Sequence, residues 1–179
     1  MSHTVEKPEE RKPEELAEAP APTPVEAPKT PAPPGPQVYV IDGDIFTIYY
    51  DVKVIGVGPG TKIEAQMDSV LLGGAVGYVS EATMATYFYT LCKRYSLEEA
   101  VSRIERVRTS RCVFVPVDEE ISTRAAKLLC KHGDKLALDE AFLIATAQAK
   151  NATVLTTSES VRDVAQAEGL PVVYVKAHP

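Results

Sequence analysis

Asp42 and Asp44 close a run of β-forming residues in VYVIDGDIF, Val38 to Phe46, placing two carboxylates at the mouth of an apolar segment. Further along, Asp139 and Glu140 open an apolar helical stretch, and Ser158 and Glu159 follow another short apolar run. Carboxylates gathered in one cleft resist ionising side by side unless a divalent cation neutralises them. Mg²⁺ takes one or two protein carboxylates and fills its octahedron with waters and substrate phosphates. Such an ion activates water and stabilises the leaving oxygen in phosphodiester cleavage. Asp42, Asp44 and Glu159, joined by Asp139 and Glu140, are therefore candidates for a metal-binding cluster. Singly, each acid has a plainer explanation: Asp139 suits a helix N-cap, and Glu140 and Glu159 suit first helical turns, where negative charge is favoured.

Other chemistries find less support. The loop GVGPGTK, Gly56 to Lys62, lacks the spacing of a phosphate-binding loop, because Thr61 separates the last glycine from Lys62 and no hydroxyl residue follows that lysine. No serine sits in a G-x-S-x-G elbow, and the three histidines, His3, His132 and His178, do not suggest a nucleophilic triad. His132 is expected to end a helix against its carbonyl dipoles. Cys92, Cys112 and Cys130 show no C-x-x-C spacing and are expected to be buried, reduced thiols rather than a disulfide framework or a zinc site.

Several elements must position the acids. Val38 to Ile41 reads as a strand buried on both faces, followed by a short helix over Ile45 to Tyr50 and another over Thr61 to Leu72. Ala75 to Val79 reads as a second strand, ending at Ser80, an N-cap for a helix through Leu91 or Arg94. Ser96-Leu97-Glu98-Glu99 is a capping box that launches a helix toward Val107. Cys112 to Val115 is a third strand closed by Pro116. Asp118 caps a helix through about Lys131, and Asp139 to Lys150 is helical. A strand at Thr153 to Leu155, a helix over Glu159 to Glu168 and a strand at Val172 to Val175 complete the order. Short apolar strands alternating with helices predict an α/β domain, a five-stranded parallel sheet flanked by helices on both faces. In such sheets functional residues gather beyond the carboxyl ends of the strands, which is where Asp42, Asp44, Ser80, Glu81, Ser158 and Glu159 fall.

Residues 1–37 differ from the rest. They hold ten of the fourteen prolines and seven glutamates, with four lysines or arginines and few large apolar side chains. A segment of that composition buries too little apolar surface to offset its ordering entropy, and reads as a disordered or polyproline-II-like tail ahead of a domain over 38–179. Tail and domain share the net charge of −6 equally, which excludes a globally basic nucleic-acid surface. No apolar run is long enough to span a membrane and no apolar leader opens the chain. The expectation is a soluble cytoplasmic protein without a membrane partner.

Four stretches carry a family resemblance: Val38 to Phe46, Tyr78 to Thr83 with the helix after it, Glu140 to Ala147, and Val154 to Thr157. Together they resemble a PIN domain, whose best-known small members are the VapC-type toxins; the resemblance spans 38–175, with Glu140 to Ala147 as its most specific piece. It implies a five-stranded parallel sheet, a Mg²⁺- or Mn²⁺-dependent ribonuclease using about four acids in one cleft, an antitoxin-like protein partner and a homodimer. Asp42 falls on the family's first acid, and Asp44 where an Asn is often found. Glu140 takes the third acid's place, Thr86 that of the second and Ser158 that of the fourth, with Glu159 adjacent. Glu81 does not substitute for the second acid, because five residues put it about 140° around the helix from Thr86. The resemblance thus implies metal ligation by Asp42, Asp44, Glu140 and Glu159, and catalysis through Asp42, Glu140 and Ser158. The missing charge at Thr86 and Ser158 points to an alternative, a non-catalytic PIN-like module that binds RNA or a protein.

Overall fold

The computed structural model describes residues 36–55 and 60–176, with the backbone alone at 51–55 and 60–62. The proline-rich segment through residue 35, residues 56–59 of the glycine loop, and His178 lie outside the described residues. The chain runs β1 (Gln37–Ile41), α1 (Gly43–Ile55), α2 (Gly60–Leu72), β2 (Ala75–Ser80), α3 (Glu81–Arg94), α4 (Leu97–Arg108), β3 (Val113–Val115), α5 (Glu119–His132), α6 (Leu138–Lys150), β4 (Thr153–Thr156), α7 (Glu159–Ala167) and β5 (Val172–Tyr174).

The five strands form one parallel sheet in the order β3-β2-β1-β4-β5, so VYVI lies in the middle, with Val40 paired to Tyr78 on one side and Val154 on the other. Burial on both faces explains its unbroken apolar character. Alternate residues serve opposite cores, as the two-residue period of a strand demands. Tyr39, Ile41 and Leu155 join Ile45, Phe46, Ile63, Met67, Met84 and Leu91 of α1, α2 and α3. Val40 and Val154 join Ile121, Leu128, Leu143, Ile144, Val161 and Val164 of α5, α6 and α7. The helices therefore cover both faces, as the sequence predicts.

Caps punctuate the elements where the sequence places them. Ser80 Oγ accepts the Ala82 N–H at 3.3 Å, Ser96 Oγ the Glu99 N–H at 3.2 Å, and Asp118 Oδ1 the Ile121 N–H at 2.8 Å. Three expectations need correction. The first helix is longer than Ile45 to Tyr50, starting at Gly43 directly beyond Asp42 and running to Ile55. The N-cap of α6 is Ala137, not Asp139, because Glu140 reaches back three residues to accept the Ala137 N–H at 2.9 Å. Cys130 is exposed, while Cys112 is buried and Cys92 half-buried, all three as free thiols. Cys130 lies nine residues after the buried Ile121, about 180° around α5 from the face that packs on the sheet. His132 does end α5, with Nε2 2.8 Å from Glu168 Oε1.

Candidate functional site

The chain leaves β1 at the centre of the sheet, between one neighbour reached by β2 and another reached by β4, which is the switch point where parallel α/β sheets open a crevice. Asp42 occupies that point. Its N–H donates to the Leu155 carbonyl at 3.0 Å, and its own carbonyl accepts from Ile45 N–H at 3.2 Å, so the residue is fixed between strand and helix. Gly43 follows because nothing larger fits: a Cβ there would lie 2.9 Å from Tyr87 Cβ. That close approach draws the start of α1 against α3 and sets the width of the cleft.

The cleft encloses about 240 Å³ and is lined by Asp42, Asp44, Asp139, Glu140 and Ser158, faced by Thr83, Thr86 and Thr90 of α3. Asp42 keeps some accessible surface, yet its carboxyl group is largely enclosed by protein. Withdrawal from water is the main reason its pKa rises from 3.8 to about 6; the Thr156 hydroxyl opposes the rise, and the Asp44 charge adds to it, followed by smaller effects of the Gly43 N–H (lowering) and Glu140 (raising). Thr156 Oγ1 donates to Asp42 Oδ2 at 2.6 Å. Asp44, at the exposed rim, is also raised, first by partial burial and then by the Asp139 charge, with Arg94 acting against both. The starts of α1, α6 and α7 meet at this edge, and their partial positive charge softens the repulsion.

Glu140 is held differently. Its Oε1 accepts from Ser158 Oγ at 2.6 Å and Ser160 Oγ at 2.9 Å, while Oε2 accepts the Ala137 N–H. Ser158 also caps α7 through the Val161 N–H at 3.3 Å, and its own N–H donates to Thr156 Oγ1 at 3.0 Å. A continuous network thus runs from Asp42 through Thr156 and Ser158 to Glu140.

Of the residues singled out from the sequence, Asp42, Asp44, Glu140, Ser158 and Thr86 line one cleft, together with Asp139. Glu159 does not line it: the residue sits exposed in the first turn of α7 and accepts from Tyr174 Oη at 3.2 Å. Glu81 forms a two-pronged pair with Arg108 at 2.6 and 2.5 Å, away from the cleft lining. Thr83, Thr90 and Ser160 were not singled out. The threonines could have been found from their i, i+3, i+7 spacing with Thr86, whereas nothing local marks Ser160.

Among the described residues, no three His, Cys, Asp or Glu side chains converge tightly enough to grip a metal ion by themselves. The donor set fits a single cation held by one or two carboxylates and completed by water, in keeping with Mg²⁺ chemistry, and does not fit a two-metal centre.

A doubly covered parallel sheet with an acidic cleft at its switch point defines the class of α/β domains whose chemistry sits at the carboxyl edge. More specifically, the chain belongs to the PIN domain family, whose sequence model matches residues 61–167. No curated protein matches the chain. Solved structures share the fold. The VapBC2 structure from Rickettsia felis, bound to a DNA fragment from its promoter, has a TM-score of 0.58 at 14% identity, over 77% of this chain and 98% of that one. VapBC-1 from nontypeable Haemophilus influenzae has a TM-score of 0.56 at 21% identity, over 77% and 98%. VapC20 of Mycobacterium tuberculosis, a sarcin-ricin loop cleaving toxin, has 0.57 at 14%, over 79% and 99%. Among the described residues, no helix is long and apolar enough to cross a membrane.

Proposed function

We propose that this chain is a divalent-cation-dependent endoribonuclease of the VapC toxin type, working through one cation at the Asp42 cleft. The observation that carries the reading is Asp42 itself, an enclosed carboxyl group with its pKa raised to about 6 among three further acids lining the same cleft. Such an arrangement is unfavourable to the fold alone and is relieved by a cation. Mg²⁺ or Mn²⁺, when bound, lowers the pKa of water and offsets charge on a phosphodiester.

The chain's own residues do the rest. Asp42 holds the cation, with Asp44 and Asp139 supplying charge at the rim. Ser158 and Ser160 fix the Glu140 carboxylate so that it faces the cleft in one orientation. Thr86 offers a neutral hydroxyl to water or substrate where an acid would add charge. The fold shared with toxin–antitoxin complexes supports an antitoxin-like protein as partner, and the toxin that cuts the sarcin-ricin loop supports RNA as substrate.

Incubating the protein with single-stranded and structured RNAs in Mg²⁺ or Mn²⁺ tests this. Wild type should cut at least one substrate, and Asp42→Asn should cut it at least about a hundredfold more slowly, as expected when charge stabilisation at the reacting centre is lost. If neither protein cuts any of several RNAs, the enzymatic reading fails. A second reading, an RNA-binding module without cleavage, draws on the commitment of Glu140 to three internal donors and on Thr86. RNA retained equally by wild type and Asp42→Asn, with no product from either, would favour it.

A further inference from the structure

We propose that the last turn of α3 receives the RNA strand: Lys93 and Arg94 take backbone phosphates next to the one at the cleft, and Tyr89 stacks an unpaired base beside them. The inference rests on the ribonuclease reading above and specifies its substrate as a single strand. Thr83, Thr86 and Thr90 line the cleft from α3. At about 100° per residue, Lys93 lies about 20° from Thr86 two turns on, and Arg94 about 40° from Thr90 one turn on. Both therefore extend the cleft-lining face of the helix past the end of the cleft. Arg94 is near enough to the rim for its charge to act on Asp44. Among the described residues neither Lys93 nor Arg94 is held in an ion pair, whereas Arg103 pairs with Glu99 and Arg108 with Glu81.

The acidic cleft makes such a place necessary. Asp42, Asp44, Asp139 and Glu140 repel a polyanion, and one cation among them offsets charge at one phosphate only. The neighbouring phosphates need positive charge outside the cleft, and Lys93 and Arg94 stand where the strand must leave it. Cations suit the negative end of any helix, but aromatic rings placed among them add a second kind of contact. Tyr89, one residue before Thr90, is 63% exposed, with the Lys93 ammonium 5.8 Å from its ring centre. The half-buried Tyr95 ring carries the Arg94 guanidinium at 5.4 Å and that of Arg103 at 4.4 Å. Stacking holds a guanidinium plane in place and leaves its edge N–H groups for a phosphate. Exposed aromatic rings beside free cations suit single strands, because only an unpaired base offers its face for stacking.

Fluorescence anisotropy tests the proposal, with a labelled single-stranded RNA of about twelve nucleotides and the full chain carrying Asp42→Asn to block cleavage, across a salt series in Mg²⁺. Added to that parent, Arg94→Gln should weaken binding about fivefold at about 0.1 M salt and flatten the slope of log K against log salt by about 0.7, one phosphate contact. Lys93→Gln with Arg94→Gln should flatten it by about 1.4, and Arg94→Lys should keep the parent's slope. Tyr89→Ala should weaken binding at least about fivefold and leave the slope alone, as loss of a stacked base does. Lys127→Gln, on α5 outside the cleft lining, should change neither quantity. RNA bound equally by the parent and by the Arg94→Gln and Tyr89→Ala variants would overturn the proposal, while cleavage by wild type would keep the ribonuclease reading. Equal affinity for a duplex of the same length would also overturn it, since a paired base does not reach Tyr89. No binding by the parent would overturn it too, and joined with no cleavage by wild type would overturn both readings.

Discussion

Replacing Asp42 by asparagine should make the protein more stable, and by an amount that depends on pH. The rise of the Asp42 pKa from 3.8 to about 6, at about 1.4 kcal/mol for each pKa unit, corresponds to about 3 kcal/mol charged against the folded state when the group is ionised. Because the folded value lies above the unfolded one, the cost is absent below about pH 3.8, grows as pH rises through the interval, and is complete above about pH 6. Asparagine retains an acceptor for the Thr156 hydroxyl and removes the repulsion from Asp44 and Glu140, although its amide N–H groups need partners of their own. The net gain at pH 7.5 should therefore fall to about 1–3 kcal/mol, each kcal/mol raising Tm by roughly 2–4 °C in a protein of this size. Urea unfolding of both proteins in EDTA, at pH 7.5, 5 and 4, measures it. The difference should shrink steadily toward pH 4. Asp42→Asn less stable than wild type at pH 7.5, or a gap that ignores pH, would refute the reasoning.

Three further substitutions probe the surroundings. Gly43→Ala places a Cβ 2.9 Å from Tyr87 Cβ, and the forced separation of α1 from α3 should cost about 1–3 kcal/mol in urea unfolding. Thr86→Glu adds a carboxylate to the cleft; it should tighten Mn²⁺ binding about tenfold by calorimetry, equivalent to about 1.4 kcal/mol, while lowering metal-free stability at neutral pH. Glu81→Gln removes an exposed ion pair with Arg108 and should cost less than about 1 kcal/mol in urea unfolding, a difference that fades as salt is raised.

The fold was legible because its signals are local and strong. Tyr39, Val40 and Ile41 of VYVI, Ala75 and Val79 of the second strand, and Val154 and Leu155 of the fourth are buried on the sheet faces, and Ser80, Ser96 and Asp118 each carry a cap that side-chain chemistry alone foretells. Within the cleft, Asp42 was readable from its place after the first strand. Glu159 was misplaced because adjacency to Ser158 in sequence says nothing about direction once a helix has begun: the side chain turns to Tyr174 while Ser158 turns to Glu140. Asp139 was given a capping role because alanine, the residue at the N-cap, has no polar atom to announce itself, and Glu140 performs the task from three residues downstream. The partnership of Ser160 with Glu140, twenty residues apart, exists only through tertiary packing.

Glu140 joins two helix beginnings with one side chain, closing α6 through Ala137 and holding the serines that start α7. It acts as a latch as well as a charge. A ligand that pulls this carboxylate away from the Ala137 N–H and the two serines removes a contact from the first turn of each helix. Amide hydrogen exchange at the first turns of α6 and α7 would then report on the cleft from outside it, and a binder that leaves those amides protected has not displaced Glu140 from its partners there.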